Sequence, residues 1–262
     1  MGFLDRLRRV VTHAPPAPRG APGKRAYAIG DVHGRLDLLD AMLERIEEDN
    51  RRRPRKRTFV VLLGDLIDRG PASAGVIERL RNWQPTGIKP IFLAGNHEEV
   101  MMNVLAGKEG ILPSWLKFGG AECLESYGLD VDALKRLDEI PAIGKIRAAV
   151  PRAHRDFLET FGDTFRFGDY LFVHAGIRPG IAVDEQHIKD LRWIREPFLG
   201  DGKEHGFVVV HGHTISDTVE ERPNRIGIDT GAYQSGNLTA IGVEDEERWF
   251  ISTSDSPDRS LT

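Results

Sequence analysis

Cysteine is almost absent from this sequence, because Cys123 is the only one among 262 residues. A single thiol cannot form a disulfide within the chain, and it cannot build a zinc site of the kind that cysteines make. Such a composition is typical of proteins in a reducing compartment. We therefore expect a cytoplasmic protein.

Long apolar runs and a strong excess of one charge are also lacking. No stretch approaches the roughly eighteen residues of a membrane-spanning helix, and the first residues lack the apolar core of a secretory signal. The 36 basic and 40 acidic residues give a net charge of −4. The basic run RRRPRKR at 51–57 is expected to be a solvated loop. We therefore expect neither stable membrane insertion nor a nucleic-acid partner.

Composition divides the chain into three parts. Residues 1–24 combine a basic segment with a linker rich in proline and glycine, APPAPRGAPG at 14–23, which we expect to make no core contacts. Residues 25–253 carry the apolar patterning of one folded domain. Residues 254–262 are polar, and we expect this tail to be disordered.

Strands and helices alternate through the first part of the domain. The apolar patterning predicts strands at 26–30, 58–63 and 89–94 and helices at 35–48, 73–83 and 97–106. This alternation is typical of a parallel sheet built from crossover units. The segment 107–162 is predicted to be a helical insert. Six strands between 164 and 252 are predicted to form a second sheet, largely antiparallel or mixed.

The segment 58–70, TFVVLLGDLIDRG, is predicted to be a buried strand followed by a cluster of charged residues. Its first six residues are almost purely apolar, Gly64 breaks the run, and Asp65 and Asp68 follow directly. Carboxylates this close together repel one another unless a positive charge lies between them. A metal ion is the obvious candidate.

Five short motifs of this kind lie at the ends of predicted strands. They are GDVHG at 30–34, GDLIDRG at 64–70, GNHE at 95–98, HAG at 174–176 and HGHT at 211–214. Each offers an Asp, His or Asn beside a glycine that lets the backbone turn close to an ion. Because ligands of α/β sheets bind beyond the carboxyl ends of the strands, the five motifs predict one shared metal site.

These motifs resemble those of the phosphoprotein phosphatase family of calcineurin-like binuclear metallophosphoesterases, especially the small bacterial and bacteriophage serine/threonine protein phosphatases. The resemblance covers about residues 26–252 and extends to NHEEVMM, LRWIRE and IDTGAYQSGNLT. It implies an α/β fold in which helices flank two stacked mixed β-sheets, an αββα sandwich with a helical insert.

The resemblance also implies a site for two divalent metal ions, with Asp65 bridging them. The implied ligands are Asp31, His33, Asp65, Asn96, His174 and His213. Their mixture of oxygen and imidazole donors suits Mn²⁺, Fe or Zn²⁺ without choosing among them. Mn²⁺ is our working expectation.

The same resemblance implies roles in phosphoester hydrolysis for the remaining motif residues. His97 would be the general acid that protonates the leaving oxygen, and Asp68 would orient its imidazole. Arg69 and Arg195 would hold the phosphoryl oxygens, with Asn96 also close to the substrate. The implied reaction is direct attack by a metal-bridging hydroxide, without a covalent enzyme intermediate.

Several neighbouring residues have no firm role. Arg192 lies three residues before Arg195, and in a helical turn the two would share a face. We favour Arg195 as the phosphate ligand, and we interpret His211 as a packing or supporting residue. Asp229 and Thr230 are expected to build a turn near the metals. Histidines without supporting neighbours are expected at the surface: His13, His154, His187 and His205.

Three functions are compatible with these motifs. The first is a phosphatase acting on phosphoserine, phosphothreonine or phosphotyrosine in a protein or peptide. The second is symmetrical hydrolysis of dinucleoside tetraphosphates such as Ap4A, which related bacterial enzymes perform. The third is a binding module without catalysis, against which the complete set of catalytic residues argues. The motifs DRG at 68–70 and GNHE at 95–98 favour the protein phosphatase.

Overall fold

The computed structural model describes residues 17–254. Residues 1–16, from the predicted N-terminal part at 1–24, and residues 255–262, from the predicted tail at 254–262, lie outside the described residues. Among the helices that are described, none is both long and apolar enough to cross a membrane.

The described strands and helices follow the predicted order closely. The strands are β1 Lys24–Ile29, β2 Arg57–Leu62, β3 Ile88–Phe92, β4 Thr164–Phe167, β5 Tyr170–Val173, β6 Val208–His211, β7 Glu220–Glu221, β8 Arg225–Gly227, β9 Thr239–Glu244 and β10 Glu247–Ser252. The helices are α1 Leu36–Arg52, α2 Ser73–Arg81, α3 Asn96–Leu105, α4 Leu112–Trp115, α5 Ala121–Ser126, α6 Val131–Lys135, α7 Glu139–Ala149, α8 Arg152–Leu158, α9 Ile188–Trp193 and α10 Ala232–Ser235. Helix α1 takes up the start of the basic run, which we had expected to be entirely loop.

Two five-stranded sheets form the centre of the molecule. The first has the order β10-β9-β1-β2-β3, with β1, β2 and β3 parallel, and the second has the order β4-β5-β6-β8-β7. Our expectation that all six late strands belong to the second sheet is wrong for β9 and β10. Strand β9 pairs antiparallel with β1, from Arg25 opposite Glu244 to Ile29 opposite Ala240. Because β1 is buried from Arg25 to Ile29, its backbone groups need partners on both edges.

Strand β1 shows how the layers are arranged. Its Ala26 and Ala28 join the core between the sheets, whereas Tyr27 and Ile29 join the core beneath the helices. The strand is therefore buried on both faces, as its apolar composition predicts. This sandwich brings the carboxyl ends of β1, β2, β5 and β6 to one edge, where the charged motifs follow.

The end of the predicted linker is attached to the domain. Gly20 N donates to Asp245 O at 2.6 Å, and Asp169 N donates to Arg19 O at 2.8 Å. Arg19 N in turn donates to Asp169 Oδ2 at 2.8 Å. Ala21 also packs against the core between the sheets, so the expectation that 14–23 makes no core contacts is wrong at the end of the linker.

Two truncations should separate these parts of the N-terminal region. Deleting residues 1–16 is expected to leave kcat on a small phosphoester within about twofold, because proline- and glycine-rich chain transmits little to a domain. Deleting residues 1–23 should lower the free energy of unfolding by about 1–4 kcal/mol, since the hydrogen bonds of Arg19 and Gly20, and that from Lys24 N to Ala21 O, are lost. Urea denaturation of both variants measures this, and equal stability of the two would contradict it.

Candidate metal and phosphoester site

The predicted site residues converge at the edge where strands of both sheets end. Asp31 and His33 follow β1, Asp65 and Asp68 follow β2, and α3 begins with Asn96 and His97 just beyond β3. From the second sheet, His174 follows β5 and His213 follows β6. All eight side chains are buried, with at most 7% of each residue exposed. Arg69 and Arg195 reach the same place from more exposed positions.

The backbone of this site adopts an uncommon conformation. Among the described residues other than glycine, six have positive φ, and five of these are His33, Asp65, Asp68, Arg69 and His213. Their φ angles lie between 46° and 71°. Such residues persist only where the surrounding structure holds them, and they are concentrated at functional sites. No pattern in the sequence indicates these angles.

Glu98 holds two of the site loops together, a role that the sequence interpretation missed. Its carboxylate accepts hydrogen bonds from Asp65 N at 2.8 Å, Leu66 N at 2.8 Å and Gly95 N at 2.9 Å. Burial, with the nearby Asp65 carboxylate, raises the pKa of Glu98 to about 7, and the N–H donors act against that rise. The only signal in the sequence was its place in GNHE.

Asp65 lies between two groups of histidines that are suited to holding metal ions. One group consists of Asp65, His33 and His97. The other consists of Asp65, His174 and His213. Within each group, the potential ligand atoms lie within 4.8 Å of one another. A carboxylate shared by two clusters is the arrangement expected for a binuclear centre.

The histidines are oriented as metal ligands usually are. His33 Nδ1 lies 2.8 Å from Ile67 O, and His174 Nδ1 lies 2.9 Å from Leu63 O. With Nδ1 paired to a carbonyl, each ring directs Nε2 toward Asp65, at 3.7 Å for His33 and 3.5 Å for His174. Burial lowers the pKa of His33 to about 3, and that of His213 to about 3. Neutral imidazoles of this kind are the form that binds metals.

Two further features favour a bound cation. His213 Nε2 is buried without a hydrogen-bond partner in the described structure. Burial, followed by the carboxylates of Asp229 and Asp65, raises the pKa of Asp31 well above its ordinary value. A cation among these carboxylates would remove their repulsion. The residues present therefore fit a divalent metal centre, although Asp31 belongs to neither group and instead accepts a hydrogen bond from His213 N at 3.0 Å.

His97 and Asp68 form a close pair beside this centre. His97 Nδ1 lies 2.6 Å from Asp68 Oδ2, and His97 Nε2 lies 3.8 Å from Asp65 Oδ2. Although burial opposes it, the carboxylates of Asp65 and Asp68 raise the pKa of His97. A raised pKa favours the protonated imidazole, which is the form that can deliver a proton.

The two predicted phosphate-binding arginines line one cleft of about 410 Å³. The guanidinium of Arg69 lies 2.9 Å from His33 Nε2 and 3.2 Å from His97 Nε2. Arg195 Nη2 donates to His213 O at 3.3 Å. The other lining residues are Asp65, Asn96, His97, Val100, Ile111, Ser114, Trp115, Phe118, Trp193 and His213. The cleft thus combines a polar floor with an apolar, aromatic wall.

Comparison with known proteins agrees with this geometry. A model of the calcineurin-like phosphoesterase family matches residues 24–240. The chain belongs to this family. Calcineurin-like phosphoesterases are metallophosphoesterases, so the family, the hydrolase class and the layered fold expected from the motifs are confirmed.

Individual relatives of this calcineurin-like phosphoesterase carry two different names. Serine/threonine-protein phosphatase 2 of Escherichia coli is 26% identical over 84% of this chain and 94% of its own. A symmetrical bis(5'-nucleosyl)-tetraphosphatase of Dechloromonas aromatica is 25% identical over 87% of this chain and 96% of its own. A crystal structure provisionally described as a diadenosine tetraphosphatase superposes with a TM-score of 0.58 and 19% identity, covering 90% and 98% of the two chains. That superposition shows the shared fold.

Arg192 and Arg195 do not share a face of this phosphoesterase, contrary to our expectation. Helix α9 ends at Trp193, and Ile194 is extended, with ψ of 140°. Arg192 pairs with Asp163 at 2.7 Å and with Glu99 at 3.3 Å, away from the cleft. Only Arg195 of the two lines the cleft.

The remaining histidines of the phosphoesterase are placed as follows. His211 is buried and packs edge-on against Phe198 at 5.1 Å, outside both metal groups, as a packing residue would. His154 is buried between Tyr127 and Glu78, at 2.9 Å from each, so its prediction as a surface residue is wrong. His187 is exposed and His205 is partly exposed, whereas His13 lies outside the described residues.

Proposed function

We propose that this protein is a metal-dependent phosphoprotein phosphatase that hydrolyses phosphoserine and phosphothreonine monoesters, with phosphotyrosine as a further candidate. The observation that carries the proposal is the 2.6 Å contact between His97 and Asp68, beside the shared carboxylate Asp65. Serine and threonine are poor leaving groups, so their phosphoesters need a positioned general acid. The apolar wall of the cleft suits the side chain that carries the phosphate.

In this proposal the metal ligands are Asp31, His33, Asp65, Asn96, His174 and His213, and the preferred ion is Mn²⁺. Two divalent ions held there would neutralise phosphoryl charge and lower the pKa of water. Arg195 and Arg69 bind the phosphoryl oxygens, and Asn96 binds the substrate from the polar floor of the same cleft. His97 delivers a proton from Nε2 to the leaving oxygen, while Asp68 holds Nδ1.

The size of the cleft supports a phosphomonoester over a dinucleoside tetraphosphate. Arg69 and Arg195 line the cleft and can hold one phosphoryl group between them. A cleft of about 410 Å³ suits an amino-acid side chain better than two nucleosides.

A direct comparison of substrates tests the proposal. The Mn²⁺-loaded protein is given a phosphoserine peptide and, separately, diadenosine tetraphosphate, and kcat/KM is measured for both. We expect the peptide to be preferred, with inorganic phosphate as the product. A higher kcat/KM for the tetraphosphate, with formation of ADP, would instead assign the second function.

Substitution of the two neighbouring arginines provides a matched pair of variants. Arg195→Ala is expected to lower kcat/KM by about 10²-fold, through both KM and kcat, because phosphoryl charge changes in the transition state. Arg195→Lys should recover only part of this, since an ammonium lacks the two-pronged contact. Arg192→Ala should cost only about 1 kcal/mol of stability, because Arg192 makes ion pairs outside the cleft. The opposite ranking in kcat/KM would contradict the proposed role.

The cysteine content supports a cytoplasmic location as part of this proposal. Cys123 is buried and unpaired, and burial raises the pKa of its thiol. A buried thiol of raised pKa is inert, and a chain with one cysteine needs no oxidising compartment to fold.

A further inference from the structure

Trp115 connects the helical insert to the His97–Asp68 pair. Its indole Nε1 donates a hydrogen bond to Asp68 Oδ2 at 2.8 Å, and the same oxygen lies 2.6 Å from His97 Nδ1. The three residues are 2%, 0% and 6% exposed, so no water competes freely for these contacts. We infer that Trp115 is a positioning residue for His97, acting through Asp68. This inference rests on the proposed role of His97 as the general acid.

The chemistry of the indole explains why this contact matters. An indole N–H can only donate a hydrogen bond, so it fixes the direction in which the Asp68 carboxylate faces. The fixed carboxylate then holds His97 Nδ1 and directs Nε2 toward the cleft. Asp68 Oδ1 is buried without a partner in the described structure, so both contacts that orient the carboxylate are made by Oδ2. Without Trp115, the contact with His97 would be the one remaining hydrogen bond of Asp68 Oδ2 among the described residues.

The backbone around Trp115 is shaped to reach the catalytic loop. The chain is kinked at Leu116–Gly120, between α4 and α5, where Phe118 and Gly119 depart from helical backbone angles. Within this kink Gly119 has φ of 114°, and its carbonyl accepts a hydrogen bond from Arg69 N at 3.0 Å. A Cβ on Gly119 would lie 2.6 Å from Arg69 N, and one on Gly120 would lie 2.6 Å from the Trp115 ring. The insert therefore meets the DRG loop at two adjacent residues, Asp68 and Arg69.

A packing role alone is the competing explanation, because Trp115 also belongs to the core beneath the helices. The two explanations differ in what they predict for catalysis. Loss of packing would slow the hydrolysis of all substrates alike. Misplacement of a general acid slows mainly the hydrolysis of those substrates whose leaving group needs a proton.

Removal of the indole N–H is the test. We expect Trp115→Phe to lower kcat about tenfold on a phosphoserine peptide, the usual worth of one buried hydrogen bond to a charged group. On p-nitrophenyl phosphate, whose leaving group needs little protonation, kcat should change less than about twofold. Metal content should stay near the parent value. In a His97→Asn background, adding Trp115→Phe should have no further effect on the peptide, because the acid is already missing.

Two controls keep the outcome interpretable. Trp83→Phe makes the same change at another buried tryptophan, whose Nε1 donates to Glu47 at 3.2 Å, and it should not alter the ratio between the substrates. If Trp115→Phe fails to fold, benzothienylalanine at position 115 keeps the fused ring but lacks the N–H. An equal loss on both substrates, or a loss that persists in the His97→Asn background, would overturn the inference. Inactivity of the parent protein on every phosphoester would instead overturn the proposed function.

Discussion

Removal of divalent metal by a chelator is expected to abolish phosphoester hydrolysis, and added Mn²⁺ should restore it. The expectation follows from the two groups of histidines that share Asp65 and from the buried carboxylates around them. Attack on a phosphate dianion by water is extremely slow unless its charge is neutralised and the nucleophile is activated. Turnover at the full rate by a preparation shown to be metal-free by elemental analysis would contradict the metal assignment.

Metal content itself provides a readout that is independent of activity. The parent protein should bind two Mn²⁺ per chain, and Asp65→Asn should weaken both sites, because Asp65 belongs to both groups. His154→Asn is the control, since His154 is also buried but contacts Tyr127 and Glu78 instead of the site. If Asp65→Asn retained both ions with parental affinity, Asp65 would not be the shared ligand.

His97→Asn is expected to lower kcat by about 10²–10⁴, the usual contribution of a general acid, while metal content stays unchanged. The loss should be greatest for alkyl phosphates such as phosphoserine. It should shrink for aryl phosphates, because their leaving oxygens need less protonation. Steady-state kinetics across a series of leaving groups measures this dependence.

The leaving-group series also tests a rival role for His97. One of the metal groups contains His97 together with His33 and Asp65, so geometry alone would also allow it to bind a metal. A ligand role predicts loss of one ion in His97→Asn and an equal loss of rate for all leaving groups. The contact with Asp68 at 2.6 Å is the reason that we assign the acid role.

The location of the site was predictable because polar residues that end neighbouring strands must meet at one sheet edge. The assignment of His174 and His213 as ligands together with Asp65 came instead from the resemblance of their motifs to the family. The left-handed backbone at His33, Asp65 and His213 was not predictable. Contacts with other loops impose that conformation, which residues other than glycine rarely adopt.

The errors in the fold prediction have a similar physical origin. The composition of strands β9 and β10 does not distinguish between the two sheets, and the open edge of β1 decides which sheet they join. His154 looked isolated in the sequence, but it is buried because α8 packs near α2. There the carboxylate of Glu78 lies 2.9 Å from Nε2 of the His154 ring. In both cases the deciding partner is distant in the chain, so local periodicity carries no information about it.

Glu98 has a consequence for how this centre can be altered or transferred. Its carboxylate ties the loop after β2 to the start of α3, so the motifs GDLIDRG and GNHE behave as a single unit. A screen that scores metal loss would therefore identify Glu98 alongside the proposed ligands, although it belongs to neither metal group. Likewise, a designer who copies only the ligand side chains onto another sheet would omit the residue that holds their loops in register.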